Sequence, residues 1–210
     1  MIFSYNKHAV GDVLLILVKN DGRNPVDFER RGRVSRVFLK ETGETVAWNI
    51  FDASEILTFT QPDGQITLDE REVEILNKEL SQNDFSERII SDTTPKFVIG
   101  RVQELVPHPD SDHLNIAQVQ VDHGEVLQIV AGAPNIEQGQ LVVVAKVGAM
   151  MPNGLIIWEG ELRGVASFGM LASPRELSLP NAPDVRGILV LTEDQATVGE
   201  PFDATKHWNK

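Results

Sequence analysis

Short apolar runs, separated by glycine and proline at intervals of roughly ten residues, make up the chain after Pro95. Strands of this length and spacing are typical of a small barrel or sandwich. The runs are Phe97–Leu105, Asn115–Val121, Glu125–Ala131, Leu141–Val147 and Ile188–Leu191. The segment Asp122-His-Gly124 separates the second run from the third and predicts a hairpin turn. We therefore expect a β domain over residues 95–203.

Residues 1–92 combine strand-like and helical patterns. The strand-like runs are Val13–Val18, Val34–Leu39 and Thr45–Phe51. The last two flank a short loop that contains Gly43, which predicts a hairpin. From Asp69, a suitable N-cap, the apolar residues recur on one helical face up to Leu80. A small α+β domain is therefore expected before the β domain, and the whole chain should be mainly β.

The charge of the chain limits how it could bind nucleic acid. The net charge is −12. Residues 1–94 carry eleven Lys/Arg and seventeen Asp/Glu, and residues 95–203 carry six and fourteen. Neither half is basic, whereas nucleic-acid binders usually carry a basic patch. Any RNA binding must therefore use a local patch and shape, and it should be selective.

The segment His108-Pro-Asp-Ser-Asp-His113 allows two interpretations. Imidazoles and carboxylates at short spacing can chelate a divalent ion, so a metal-dependent hydrolase using His108, Asp110, Asp112 and His113 is one hypothesis. A site of this kind needs further converging ligands, and no second histidine cluster exists in the sequence. The alternative is a corner in which His-Pro follows the first strand and Asp112 caps the turn. We favour the corner and expect no metal and no other cofactor.

Two later segments contain residues suited to RNA contact. Asn135, which ends Gly132-Ala-Pro-Asn135, can offer its amide to a base edge, or it can hold its own backbone in a turn. In Glu161–Leu171, Arg163 could pair with a phosphate, Ser167 could bond a phosphate or sugar, and Met170 could contact an unstacked base. Ser167 lacks the flanking glycines of a nucleophile elbow, so no catalytic residue is expected.

Two further features have ordinary structural explanations. Four arginines lie between Arg30 and Arg36 and could bracket phosphates, or they could pair with Asp27 and Glu29. Whether this run touches RNA stays open. Gly154-Leu-Ile-Ile-Trp158 predicts a strand, with Trp158 packed rather than stacked on a base.

The order of the motifs after Pro95 closely resembles the tRNA-binding domain family. That family includes the barrel of the bacterial phenylalanyl-tRNA synthetase β subunit and the C-terminal appendix of some methionyl-tRNA synthetases. The resemblance rests on Val98–Val102, His108–Leu114, Ile129–Asn135, Val147–Asn153 and Leu162–Leu171. The N-terminal half looks like the extra domain of YtpR-like proteins, whose role is unassigned.

The resemblance implies a five-stranded OB-fold barrel that binds structured tRNA without catalysis. The family's proposed RNA-contacting positions match Ser167 and Met170, and the match extends more weakly to Asn115, Asn135 and Arg163. One departure is His113, which stands where many members have a lysine. It removes a phosphate contact and reduces the expected affinity.

The expected protein is cytoplasmic, because no run is long enough for a membrane span or a secretory signal. Its expected partners are tRNA or another structured RNA and a synthetase or translation factor, with no membrane. A homodimer stays open, because family barrels can pair through added C-terminal structure. The alternative function is a protein-interaction or oligomerisation module that has lost its RNA affinity, which the acidic charge favours.

Overall fold

The computed structural model describes residues 1–59 and 64–208, and the chain divides into two units, Met1–Thr94 and Pro95–Lys210. No helix of the described residues is long and apolar enough to cross a membrane.

The first unit is an antiparallel sheet with a long helix. The described elements are β1 (Ile2–Tyr5), α1 (Lys7–Val10), β2 (Val13–Leu17), β3 (Val26–Arg31), β4 (Val34–Leu39), β5 (Thr45–Phe51), β6 (Gly64–Ile66) and α2 (Glu70–Gln82). The strand order is β3-β4-β5-β2-β1-β6. The predicted hairpin is the β4–β5 pair, and the predicted helix is α2. These expectations are confirmed.

Local sequence accounts for both of these elements. Burial alternates along β5, so that Val46, Trp48 and Ile50 face the core while their neighbours lie nearer solvent. Asp69 begins α2 with a capping box: its side chain accepts from the Glu72 amide, and the Glu72 carboxylate accepts from the Asp69 amide. Two free amides of the first turn are satisfied in this way.

Three strands of the first unit were not predicted: β1, β3 and β6. Strand β3 is exposed along most of its length, and its two apolar residues, Val26 and Phe28, make too short an alternation to predict a strand. It forms because all six of its residues pair in register with β4. That information lies in the partner strand and not in β3 itself.

The second unit is the expected five-stranded barrel. Its described strands are β7 (Phe97–Pro107), β8 (Asn115–Gln120), β9 (Val126–Ala131), β10 (Leu141–Lys146), β11 (Gly160–Leu162), β12 (Val165–Ser167), β13 (Gly169–Leu171) and β14 (Val190–Leu191), and a short helix, α3 (Ala204–His207), follows. The main sheet has the order β13-β10-β7-β8-β9, β14 pairs with β10, and β11 with β12 forms a separate hairpin.

The segment that ends β12 and begins β13 lies against β9 and nearly closes the barrel. The Phe168 amide donates to the Gln128 carbonyl at 2.9 Å, and the Gln128 side chain donates to the Ala166 carbonyl at 2.8 Å. Strand β7 bends at a register shift between Val102 and Glu104, which gives it the curvature that a closed barrel requires.

The expected strand over Gly154–Trp158 is wrong. Its one backbone bridge is the isolated pair of Met150 with Ile156, and Trp158 belongs to no strand. The apolar run is instead a loop that folds back on the chain, with the Met151 amide donating to the Leu155 carbonyl at 2.7 Å. A short apolar run does not by itself show whether the segment pairs as a strand or forms a loop.

A charged cluster fixes the C-terminal segment against β7. The Ile99 amide donates to the Glu200 carbonyl, and the Glu200 carboxylate accepts from Lys206, the Thr197 amide and the buried ring of His207. These hydrogen bonds lower the pKa of Glu200 from 4.5 to about 2, and the bond from Lys206 has the largest effect.

This shift makes the stability of the segment depend on pH. Because the folded chain favours the ionised form, the stabilisation is complete above pH 4.5 and is lost as the pH falls towards 2. We expect Glu200→Gln to lower the free energy of unfolding by about 1 kcal/mol near neutral pH, since the cluster is partly solvated. Thermal melts should show this difference shrinking by more than half near pH 3. A difference that does not change with pH would contradict the assignment.

Candidate nucleic-acid interface

Ser167 is part of the barrel closure. Its hydroxyl accepts from the Val130 amide of β9 at 3.1 Å and donates to the Gly169 carbonyl at 3.3 Å. The residue is only 5% exposed. The hydroxyl thus both accepts and donates a hydrogen bond within the protein. Its bond to the Val130 amide links β9 to the β12–β13 segment where a backbone carbonyl would otherwise be the acceptor. Direct contact of Ser167 with RNA stays a prediction.

Asn135 holds a distant loop. Its amide donates to the Ile188 carbonyl at 3.0 Å and accepts from the Ile188 amide at 2.9 Å. Gly187, which precedes Ile188, has φ +150°, and a Cβ there would lie 2.7 Å from Asn135 Oδ1. The paired bonds therefore fix the segment that contains Arg186 and Gly187. Base recognition by Asn135 stays a prediction too.

Met170 lies in an open depression of the barrel surface. This depression, called the larger cleft below, has a volume of about 650 Å³. Its lining comes from Val130–Pro134, Asn153, Met170–Leu171, Ser173, Arg175–Glu176 and Val185–Ile188. Met170 is half-buried, so part of its side chain is available to a ligand while the rest packs on the core. It can supply the soft apolar contact that an unstacked base requires.

Asn115 lies in a second depression that adjoins the first. This smaller cleft has a volume of about 420 Å³ and is lined by Asp112, His113, Asn115, Gly132–Pro134, Ile136 and Arg186. The two clefts share Gly132, Ala133, Pro134 and Arg186. Gly132 allows the backbone to pass under the preceding loop, because a Cβ there would lie 3.2 Å from Leu114 Cδ2.

Arg163 and His108 connect the β11–β12 hairpin to the β7–β8 loop. The Arg163 guanidinium donates to the Asp110 carbonyl at 2.8 Å. The buried His108 ring accepts from the Asp110 amide at Nδ1, 3.0 Å, and donates from Nε2 to the Leu162 carbonyl, 3.1 Å. This assignment makes His108 a neutral imidazole with both nitrogens occupied. The loop is thus the corner that we favoured, but the Ser111 hydroxyl, rather than the predicted Asp112, accepts from a turn amide, that of His113 at 3.3 Å.

The metal hypothesis for this loop gains no support. Among residues 1–59 and 64–208, no three His, Asp or Glu side chains converge in a way that could hold an ion. His113 and Asp112 are exposed and line the smaller cleft, while His108 faces the hairpin.

The basic run Arg30–Arg36 is largely neutralised within the first unit. Arg31 pairs with Glu29, Arg33 with Glu55 and Glu79, and Arg36 with Glu29 and Glu87. Arg30 stacks over the Phe51 ring at 3.8 Å. Glu29 was expected among the partners, whereas Asp27 pairs with Lys40 instead. Three of the four arginines are thus paired with carboxylates, whereas Arg30 keeps its charge without one in the described chain.

In the barrel, ion pairs again decide which cations remain available. Arg101, Lys146, Arg175 and Lys206 each pair with a carboxylate. In the described part of the chain, neither Arg163 nor Arg186 has a carboxylate within ion-pairing distance. Arg186 was not among the site residues predicted from the sequence. Its local signal, an arginine before a glycine in a loop, is too common to be informative.

Comparison with known proteins adds to this geometry. Residues 97–201 match the family model described as "Putative tRNA binding domain". The chain is also 48% identical over 190 residues to "Putative tRNA-binding protein YtpR" of Bacillus subtilis (strain 168), which covers 90% of this chain and 94% of that protein. The chain belongs to the tRNA-binding domain family. Within this family it has the two-domain YtpR-like form, and residues 21–92 match "Domain of unknown function (DUF4479)".

Parts of much longer proteins are also similar to this chain. The phenylalanine–tRNA ligase β subunit of Shouchella clausii is 48% identical over 103 residues, which is 47% of this chain and 13% of the ligase subunit. The subunit of Burkholderia lata is 43% identical over 161 residues, which is 74% of this chain and 19% of that subunit. The shared part is therefore a small fraction of each ligase subunit.

Proposed function

We propose that this chain is a non-catalytic, cytoplasmic RNA-binding protein that binds tRNA through its barrel, as an accessory to aminoacylation or translation. Membership of the tRNA-binding domain family, with 94% of the YtpR protein covered, is the observation that carries the proposal. The similarity to ligase subunits supports a synthetase partner.

The adjoining clefts give this function a physical basis. Within the clefts, Met170 offers apolar contact to a base and Asn115 offers an amide. Arg163 lies outside both linings, between β11 and β12, and adds a guanidinium without a carboxylate partner in the described chain. Two further residues support this surface: Ser167 helps to close the barrel, and Asn135 fixes the loop that contains Arg186. The predicted site residues would then divide into ligand contacts and framework.

The number of unpaired cations predicts the strength of binding. With Arg163 and Arg186 as the barrel's two arginines without a carboxylate partner in the described chain, the logarithm of the binding constant should fall against the logarithm of salt with a slope of magnitude about 1.4, or about 0.7 per phosphate contact. That is a small electrostatic contribution, which fits a chain of net charge −12. Binding should be selective for shape and exposed bases rather than general.

Substitution of Met170 tests the proposed surface. We expect Met170→Ala to weaken retention of bulk tRNA by about fivefold in a gel-retardation titration, because a base loses its apolar contact. Val126→Ala is the matched control, since Val126 is an exposed residue of β9 outside both clefts, and it should bind as wild type does. Ser167→Ala is a poorer test because it would also leave the Val130 amide without its partner. If Met170→Ala binds as tightly as wild type, Met170 is not a contact.

The second candidate function is a protein-interaction or oligomerisation module with the barrel retained. Its support is the acidic balance of both units. The same titration distinguishes the two functions: a wild-type protein that fails to retard tRNA at low salt would favour the interaction module. Sedimentation of the wild-type protein alone would then show whether it forms a homodimer.

A further inference from the structure

Arg186 occupies the boundary between the two clefts. It lines both of them, together with the backbone of Gly132–Pro134. It is exposed, and no described carboxylate lies within ion-pairing distance of it. Arg175, the other arginine of the larger cleft, is instead paired with Asp184. Arg186 is thus the cation in this surface whose charge is available to a ligand.

The linings of the two clefts disfavour phosphate and suit bases. The lining of the larger cleft includes Glu176, one of whose carboxylate oxygens accepts from the Ser173 amide, together with the apolar Met170 and Val185; the lining of the smaller cleft includes Asp112 and Asn115. A carboxylate repels a phosphate, but it accepts hydrogen bonds from the amino group of a base. Each cleft therefore offers apolar contact and polar acceptors to a base, and the positive charge lies between the clefts.

The position of Arg186 is fixed by the fold. Two residues later, the amide and carbonyl of Ile188 are both bound by Asn135, and the Leu189 amide donates to the Ala172 carbonyl at 2.9 Å. The intervening Gly187 cannot gain a side chain without contacting Asn135. A cation on a fixed loop loses less entropy when it binds an anion than one on a mobile loop does.

We infer that the two clefts bind two consecutive unstacked nucleotides of a single-stranded RNA segment, with the intervening phosphodiester on Arg186. The inference rests on the proposed RNA-binding function and names the form of RNA that the surface takes. A base in a duplex is stacked and paired, so it cannot enter either cleft, whereas bases in loops and at ends can. The guanidinium is suited to the phosphodiester because its donors match two phosphate oxygens.

Fluorescence anisotropy with labelled RNA tests the inference. The probes are a single-stranded RNA dodecamer, the same dodecamer annealed to its complement, and tRNA. We expect Arg186→Ala to weaken binding of the single-stranded dodecamer and of tRNA by about tenfold at low salt and to reduce the salt slope by about 0.7. The wild-type protein should prefer the single strand to the duplex.

Arg88→Ala is the matched control, because it removes an equal charge that is paired with Glu74 and lies outside both clefts. It should change binding by less than about twofold. Thermal melts followed by circular dichroism should show that both variants are as stable as wild type, because both side chains are exposed.

Three outcomes would overturn the inference and leave the proposed function intact. The first is that Arg186→Ala binds tRNA with the affinity and salt slope of wild type, and the second is that the two arginine variants lose equal RNA affinity. The third is that wild type binds the single strand and the duplex with equal affinity. A wild-type protein that binds none of the three RNAs would reject the proposed function itself.

Discussion

Gly100→Val should destabilise the barrel by about 3 kcal/mol, the upper end of the usual cost of overpacking a core. Gly100 lies on β7 between β8 and β10. A Cβ there would come within 2.7 Å of both Val119 Cγ1 and Val144 Cγ2, and within 3.1 Å of the Gln120 carbonyl oxygen. Both valines are fully buried, so neither can move away without displacing other core residues.

Denaturant unfolding, monitored by circular dichroism, measures this effect. The loss of stability should be smaller for Gly100→Ala than for Gly100→Val. Gly160→Ala is the control, since Gly160 lies in the β11 strand and a Cβ added there would have no heavy atom within 4 Å. This control should change stability by less than about 0.5 kcal/mol. If Gly100→Val unfolds at the denaturant concentration of wild type, the tight contact of β7 with β8 and β10 is not real.

The pair of Asp122 with Lys146 should show the second large effect. Both carboxylate oxygens lie 2.8 Å from Lys146 Nζ, and the two side chains are only 10% and 13% exposed. Asp122→Ala would leave a largely buried ammonium without a partner. We expect a loss of about 3 kcal/mol, at the lower end of the range for breaking a buried pair.

Surface and double variants separate this effect from a general loss of charge. Asp184→Ala breaks the Arg175 pair, whose side chains are 94% and 59% exposed, and should cost less than about 0.5 kcal/mol. The double variant Asp122→Ala with Lys146→Met should regain part of the loss, because no unpaired charge remains. Thermal melts of the four proteins measure both comparisons. An equal loss in the single and double variants would show that packing around Asp122, and not the charge, is what matters.

Ion pairs within the protein determine which cations remain available for RNA in a chain of net charge −12. In the first unit, carboxylates of Glu29, Glu55, Glu79 and Glu87 engage the densest basic run of the chain. The proposed interface instead depends on a few unpaired cations placed beside apolar and amide contacts. Such a surface should bind weakly to polyanions in general and better to an RNA with exposed bases.

The regular elements could be predicted where the pattern that specifies them is local. The β4–β5 hairpin across Gly43 and the N-cap at Asp69 are both confirmed by the structure. Strand β3 was missed because its pairing with β4 is not visible in its own residues. The run ending at Trp158 was misassigned because apolar character alone does not distinguish a strand from a packed loop.

The candidate site was predicted less completely than the fold. Sequence patterns directed attention to Ser167, Met170 and Asn135, and all three belong to the region around the clefts. They could not show that the Ser167 hydroxyl and the Asn135 amide already have partners, because Val130 and Ile188 lie 37 and 53 residues away in the chain. Nor could they identify Arg186.

The sequence by itself determined the β texture after Pro95, the helix that Asp69 begins, and the family, because each depends on residue types at short spacing or in a fixed order. Only the tertiary structure decided which polar groups support the barrel and which cations stay unpaired. The physical reason is that hydrogen bonds and ion pairs depend on distances between residues far apart in the chain, such as Arg101 and Glu193. The availability of Arg186 to a ligand is a consequence of that folded arrangement.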